Sequence, residues 1–188
     1  MHVIHKTRLA LSYRRMMQMN VLEAIKKRRS IRRYKPEEIP TEHLQQILEA
    51  ARLAPSAKNL QPWQFIIVET RERKRLLAEI ASKQMFLADA AVIVVALADP
   101  DVSPKWFKQD VMIALEHMVL TATSLGYGTC WIGAFEEEKV KKLLKVPEKL
   151  KVVALLPIGV PDETPEARPR KKFTEIFFSE EYGKPLTL

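Results

Sequence analysis

Apolar residues first fall into helical spacing just after Asn20, where Val21, Leu22 and Ile25 share one face and Glu23 completes a capping-box pattern with Asn20. The helix so predicted delivers a run of basic residues at its C-terminal end. A second helical stripe follows in Leu44, Ile47, Leu48, Ala51 and Ala54, with Thr41 placed as its N-cap and Pro55 as its stop. Pro55 to Trp63 then reads as a loop rich in short polar side chains. Trp63 to Glu69 has strand character, and Thr70 is placed to cap a helix running to about Ser82. The unbroken apolar run Ala90 to Ala98 matches a strand buried on both faces.

Ser103 and Pro104 form an N-cap and first-turn pair that opens a long helix, with Phe107, Val111, Ala114, Leu115, Met118, Ala122 and Leu125 on its apolar side and Gly126 beyond its end. This is expected to be the central helix of the core. Gly128 to Gly133 predicts a short strand or extended turn, Glu136 to Lys145 a charged helix with Val140, Leu143 and Leu144 inward, and Leu150 to Ile158 a second buried strand. From Pro161 the chain turns proline-rich and irregular, yet it still carries Phe173, Ile176, Phe177, Phe178 and Tyr182. Such an arm, residues 161–188, must cover something apolar, and a partner subunit is the natural candidate. Strands alternating with helices predict an α/β or α+β sandwich without internal repeats.

Composition bounds this picture. A chain of 188 residues, 47% apolar and 29% charged, supports one core-bearing domain, taken as residues 21–188. Its longest apolar run is far short of the roughly 20 residues a membrane span requires, so no membrane role is expected. The lone Cys130 excludes an internal disulfide, and His2, His5, His43 and His117 show no metal-ligand spacing. Both features favour a reducing, cytoplasmic setting. Cys130 itself is expected as a small buried strand residue and His117 as a packed core histidine. Residues 1–20 contain no secretory hydrophobic region and form a basic extension, which Met16, Met17 and Met19 also allow to be read as a product of start-site choice.

The net charge of +8 matters less than its distribution. Four basic residues lie in 1–20, seven in 26–35 and four in 168–172, with no acid in any of the three segments. The remaining body holds 16 basic against 23 acidic residues and is therefore acidic. Charge gathered this tightly suggests a discrete anion site more than a nucleic-acid face, which spreads its cations over several phosphates. A basic nucleic-acid-binding protein is the minor alternative, and no nucleic-acid motif accompanies it.

Four segments occur in order: Arg28-Arg29-Ser30-Ile31-Arg32, Pro55-Ser56-Ala57-Lys58-Asn59-Leu60-Gln61-Pro62-Trp63, Gly126 to Gly133, and Arg168-Pro169-Arg170-Lys171. Together they closely resemble the nitroreductase family, from about Val21 to the tail. Guanidinium groups meet a phosphate monoester with paired, charge-assisted hydrogen bonds. Because the helix gives way to extended chain before Pro36, Arg28, Ser30 and Arg32 can share one side.

The resemblance implies an α+β three-layer sandwich with a central mixed sheet flanked by helices. It also implies a homodimer with shared FMN sites, the 104–125 helix at the interface, and the C-terminal arm extended over the partner. It assigns Arg28, Arg29, Ser30 and Arg32, with Arg168, Arg170 and Lys171, to the FMN phosphate. Pro55, Ser56, Ala57 and Asn59 would contact FMN held mainly by the other subunit, while Gln61 and Trp63 fix the loop. Gln84 would reach the flavin pyrimidine edge. Trp131, Ile132 and Gly133 would lie near flavin N5, and since many relatives carry Glu where this chain has Ile132, any role there rests on the backbone N–H groups of Ile132 and Gly133. No protein nucleophile is expected. The implied activity is ping-pong transfer from NAD(P)H through flavin N5 to a small electron-poor acceptor such as a nitroaromatic or quinone. Reductive dehalogenation, flavin fragmentation and aldehyde reduction are the alternatives within the family.

Overall fold

In the computed structural model, which describes residues 19–187, nine principal elements build three layers around one sheet. They are α1 (Val21–Lys27), α2 (Thr41–Arg52), β1 (Trp63–Val68), α3 (Arg71–Ile80), β2 (Val92–Ala98), α4 (Phe107–Ser124), β3 (Gly128–Thr129), α5 (Glu137–Leu144) and β4 (Lys151–Gly159). Residues 1–18 of the expected extension lie outside the described residues. Among the described residues no helix is long and apolar enough to cross a membrane.

The strand order is β1-β2-β4-β3. All seven residues of β2 are buried, as its apolar run predicts, because helices cover both of its faces. Alternation along the strands divides the core in two. Val92, Val94, Ala96 and Ala98, with Ala154, Leu156 and Ile158 of β4, pack on Ile47 and Ala51 of α2 and on Val111, Leu115, Met118 and Ala122 of α4. Ile93, Val95, Leu97, Val152 and Leu155 face the other way, against Leu77 and Ala78 of α3 and Val140 of α5.

The fold is α+β as expected, but the four strands of its sheet pair antiparallel throughout rather than as a mixed set. Among the described residues, parallel pairing is confined to an isolated bridge between Ser30 and Thr129, where the Ile31 N–H donates to the Thr129 carbonyl at 2.9 Å. Gly128 permits that approach: a Cβ there would stand 2.6 Å from Cγ1 of buried Ile31. The segment leaving α1 is thus laid against the edge of β3.

Several helix ends differ from the expected ones, each for a local reason. The capping box of α1 is present, with Asn20 and Glu23 each accepting from the other's N–H at 3.0 Å. Its expected apolar face is not internal, however. Only Ala24 is buried, and Val21, Leu22 and Ile25 point outward. Pro40, with extended ψ, takes the cap position of α2, so Thr41 is its first helical residue rather than its cap. Thr70 does precede α3 but makes no side-chain cap, and the helix stops at Ile80 because Ser82 and Lys83 both turn left-handed. Ser103 and Pro104 lie in a turn before α4, which starts at Phe107. The Ser103 hydroxyl is spent on Asp110 instead of on the helix end. At the far end Gly126, at φ 89°, closes α4 as expected.

Candidate functional site

The bridge to Thr129 places Arg28, Arg29, Ser30 and Arg32 in one cleft with Arg168 and Arg170, at the end of the sheet. Its volume is about 350 Å³, and Glu163, Pro165 and Glu166 complete the lining. Residues some 140 positions apart meet because the chain after β4 runs back along the segment after Ser30. Lys35 donates to the Val160 carbonyl at 2.9 Å, Asp162 to the Arg33 carbonyl at 2.9 Å, and the Arg33 side chain to the Asp162 carbonyl at 2.7 Å. Tyr34, buried beneath, donates its phenol to the Ile31 carbonyl at 2.9 Å, and burial holds that phenol far above its ordinary range. Lys171 is exposed and does not line the cleft.

Two of the cleft cations, Arg29 and Arg170, are held back on nearby backbone. Arg29 donates through Nη1 to the carbonyls of Lys26 and Arg28, at 2.7 and 2.8 Å, which satisfies the C-terminus of α1. Its Nε is buried with no hydrogen-bond partner among the described residues. Arg170 curls onto the carbonyls of Arg168 and Pro169. The Glu163 carboxylate accepts from the Arg32 N–H, so one anion already sits at the backbone donor of this cluster. Cys130, just past the end of β3, lies near these groups, and burial pushes its thiol up against the opposing pull of Arg32, Ser30 and Arg28. Donors with a cationic excess and one unpaired buried N–H suit a small, multiply charged oxyanion.

The second predicted segment is built quite differently. Ser56 to Gln61 coils through a short 3-10 turn, Ala57–Asn59, and within this loop Lys58, Asn59 and Gln61 all have left-handed φ between 49° and 56°. The Ser56 hydroxyl accepts from the Gln61 N–H at 2.9 Å. Asp110 of α4 accepts from the Ala57 N–H at 2.9 Å, and the Asp99 N–H donates to the Pro62 carbonyl at 2.8 Å. Pro55 and Asn59 are exposed, Ser56 and Ala57 half-buried, and none of the four lines the cationic cleft.

The remaining candidates separate from both. Gln84 lies beyond the end of α3, where its side chain donates to the Ala81 carbonyl at 3.0 Å, and does not line the cleft. Trp131 is half-buried against the core and donates through Nε1 to Glu116 at 3.3 Å. The expected free amide of Ile132 is not free. Ile132 and Leu155 exchange two backbone hydrogen bonds at 3.0 Å, which fastens this stretch to β4. Gly133, exposed and with no backbone partner among the described residues, keeps its N–H available. Cys130 is buried as expected but lies one residue past the end of β3 rather than in a strand, and His117 is half-buried, its Nδ1 3.1 Å from the Ala50 carbonyl.

Two acids escaped the sequence reading. A search for cations passes over Glu163, whose only signal is its place just after a buried strand. Asp110 carried a plainer one: it lies at helical spacing within the apolar stripe of Phe107, Val111 and Ala114, where a charge needs a reason.

Comparison with known proteins covers most of the chain. A family model described as the nitroreductase family matches residues 25–91 and 80–160. A protein of Methanothermobacter thermautotrophicus, provisionally named NADH dehydrogenase/NAD(P)H nitroreductase, is 37% identical over 156 residues, 80% of this chain and 82% of the relative. The FMN reductase [NAD(P)H] of Bacillus subtilis is 31% identical over 186 residues, 86% of this chain and 74% of the relative. Among solved structures, an FMN-dependent nitroreductase of Clostridium difficile superposes with a TM-score of 0.78 at 34% identity, covering 84% of this chain and 98% of the other.

Proposed function

The chain belongs to the nitroreductase family, and from that premise we propose that it binds FMN and passes reducing equivalents from NAD(P)H to a small electron-poor acceptor by a ping-pong route. The observation that carries this reading is the meeting of Arg28, Arg29, Ser30 and Arg32 with Arg168 and Arg170 in one cleft. An FMN phosphate, with close to two negative charges and three acceptor oxygens, fits that donor set, and the unpaired Arg29 Nε is a buried donor still seeking an acceptor. Bound there, FMN supplies a ring that accepts hydride from the nicotinamide and releases it to the second substrate.

The chain's own groups then have distinct tasks. Arg28, Arg32 and Arg170 neutralise the phosphate, and Ser30 adds a hydroxyl donor. The Glu163 carboxylate offers the repulsion that a phosphate must displace from the Arg32 N–H. Gly133 contributes a backbone donor near the ring, a part that Ile132 cannot share. The Ser56–Gln61 loop contributes a flat polar surface for the ring of a site formed mainly by a second copy.

A homodimer is the assembly that brings loop and cleft together. Its support is apolar surface that the single chain leaves open: Val21, Leu22 and Ile25 on α1, Trp106, Met112 and Ile113 at α4, and Phe173, Ile176 and Phe177 on the arm. A single buried thiol fits a reducing cytoplasm.

The deciding measurement is the visible spectrum of the purified protein, with acid release of its chromophore. A yellow protein that yields FMN and is bleached by NADH or NADPH in stopped flow supports the reading. Colourless protein that refuses added FMN overturns it.

A further inference from the structure

We propose that the Asp110 carboxylate is the positioning residue that holds the Ser56–Gln61 loop in the shape with which it meets the flavin ring. This deepens the FMN reading and rests on it. Asp110 is buried in the first turn of α4, where unpaired helix N–H groups favour an acid. One carboxylate oxygen accepts from the Ala57 N–H at 2.9 Å, and the other accepts from the buried Ser103 hydroxyl at 3.1 Å. The loop is tied again at its far end, where the Asp99 N–H meets the Pro62 carbonyl at 2.8 Å. One tie comes from the connection that follows β2 and the other from the first turn of α4, to which Ser103 of that same connection is bonded. Between them stand Lys58, Asn59 and Gln61, three left-handed residues that free chain would leave.

A buried carboxylate is costly unless its oxygens are satisfied, and an apolar residue would extend the stripe of Val111 and Ala114 without that cost. What the acid achieves that an apolar residue could not is acceptance of a main-chain N–H from the loop. The contact is to backbone, so it governs the path of the loop whatever side chains the loop carries. Its action on the flavin is through shape rather than charge, which separates it from the arginines of the cleft.

That separation supplies the test, made on the full chain. Dissociation constants for FMN and for riboflavin are measured by quenching of flavin fluorescence, and tryptic cleavage after exposed Lys58 is followed in the flavin-free protein. Asp110→Ala should weaken both flavins by the same factor, about tenfold, and speed Lys58 cleavage by a similar factor. Asp110→Asn retains an acceptor for Ala57 and should recover affinity to within about twofold of wild type. If Asp110→Ala fails to fold, Ser103→Ala should show the same paired loss at smaller size. Folded Asp110→Ala with unchanged flavin affinities overturns the assignment, as does a loss confined to FMN. Wild-type protein that binds neither flavin overturns the cofactor reading instead, and the Lys58 cleavage, which needs no flavin, tells the two failures apart.

Discussion

The cationic cleft and the Ser56–Gln61 loop make opposite use of hydrogen bonds. In the cleft the backbone is extended and ordinary, while Arg29 and Arg170 rest on nearby carbonyls that they can leave. In the loop the side chains are small or exposed and the backbone is bound, through Asp110, Ser56 and Asp99, into a strained path. The first arrangement stores charge that a ligand can draw out. The second stores shape that a ligand need not change. A phosphate is recognised by charge and a flat ring by shape, so dividing the two tasks lets each region be tuned without disturbing the other.

The sharpest way to break this comparison is to remove charge. Arg28→Ala with Arg170→Ala should weaken FMN by at least about 100-fold, at roughly 1.5–3 kcal/mol per lost charge-assisted bond, while riboflavin affinity stays near wild type. Parallel titrations decide it, and equal losses for both ligands would mean that the cleft does not hold the phosphate. Next in size is Gly128→Ala, whose Cβ would press on Ile31 at 2.6 Å. Ile31 is branched and buried and cannot swing aside cheaply, so a cost of about 1–3 kcal/mol is expected. In a chain of this size that lowers Tm by roughly 2–12 °C. FMN should weaken with it, because Ser30 rides on the same bridge to Thr129. Calorimetry and FMN titration of the one variant check both effects.

The same contrast explains what could be read from the sequence. Charge leaves a compositional mark, so the arginines of the cleft were legible as two acid-free clusters, and their meeting needed only the edge of β3 to bring it about. The Ala90–Ala98 run and the stripe of α4 were legible because burial on a fixed period admits few alternatives. Backbone engagement leaves no such mark. Nothing in a residue's type says that the Ile132 N–H is taken by Leu155, or that Gln84 turns back to Ala81. Ser103 misled for a related reason: serine and proline form a good helix start in isolation, but a buried acid seven residues on competes for the hydroxyl. The outward face of α1 obeys the helical period, yet no periodicity states whether the apolar side meets its own core or another copy.

On the loop side, the effects should be smaller and of opposite sign. Lys58, at φ 52°, occupies a conformation that costs an L-residue about 1 kcal/mol and glycine almost nothing. Lys58→Gly should therefore stabilise the fold slightly, by up to about 0.5 kcal/mol once glycine's greater freedom when unfolded is subtracted. The same exchange at Lys26, inside helical α1, should destabilise it by a comparable amount. Chemical denaturation of the two variants measures both signs. If Lys58→Gly also loses stability, the loop is not held against strain.

The smallest effect concerns the second tie of the loop. The Asp99 side chain accepts from Lys149 at 2.8 Å and from the Asp101 N–H at 3.0 Å. The hydrogen bond from Lys149 is the main cause that holds its carboxyl below the ordinary value of 3.8. A carboxyl lowered on folding adds stability that is fully present above 3.8 and is lost as pH falls through the lowered value, where the folded form too takes up the proton. Wild-type Tm should therefore fall more steeply below pH 4 than that of Asp99→Asn, and the two should run parallel at neutral pH. Because the Asp99 N–H, rather than its carboxyl, holds Pro62, tryptic cleavage after Lys58 should change far less in Asp99→Asn than in Asp110→Ala. Equal cleavage in the two variants would mean that the loop depends on the whole β2–α4 connection and not on the one buried carboxylate.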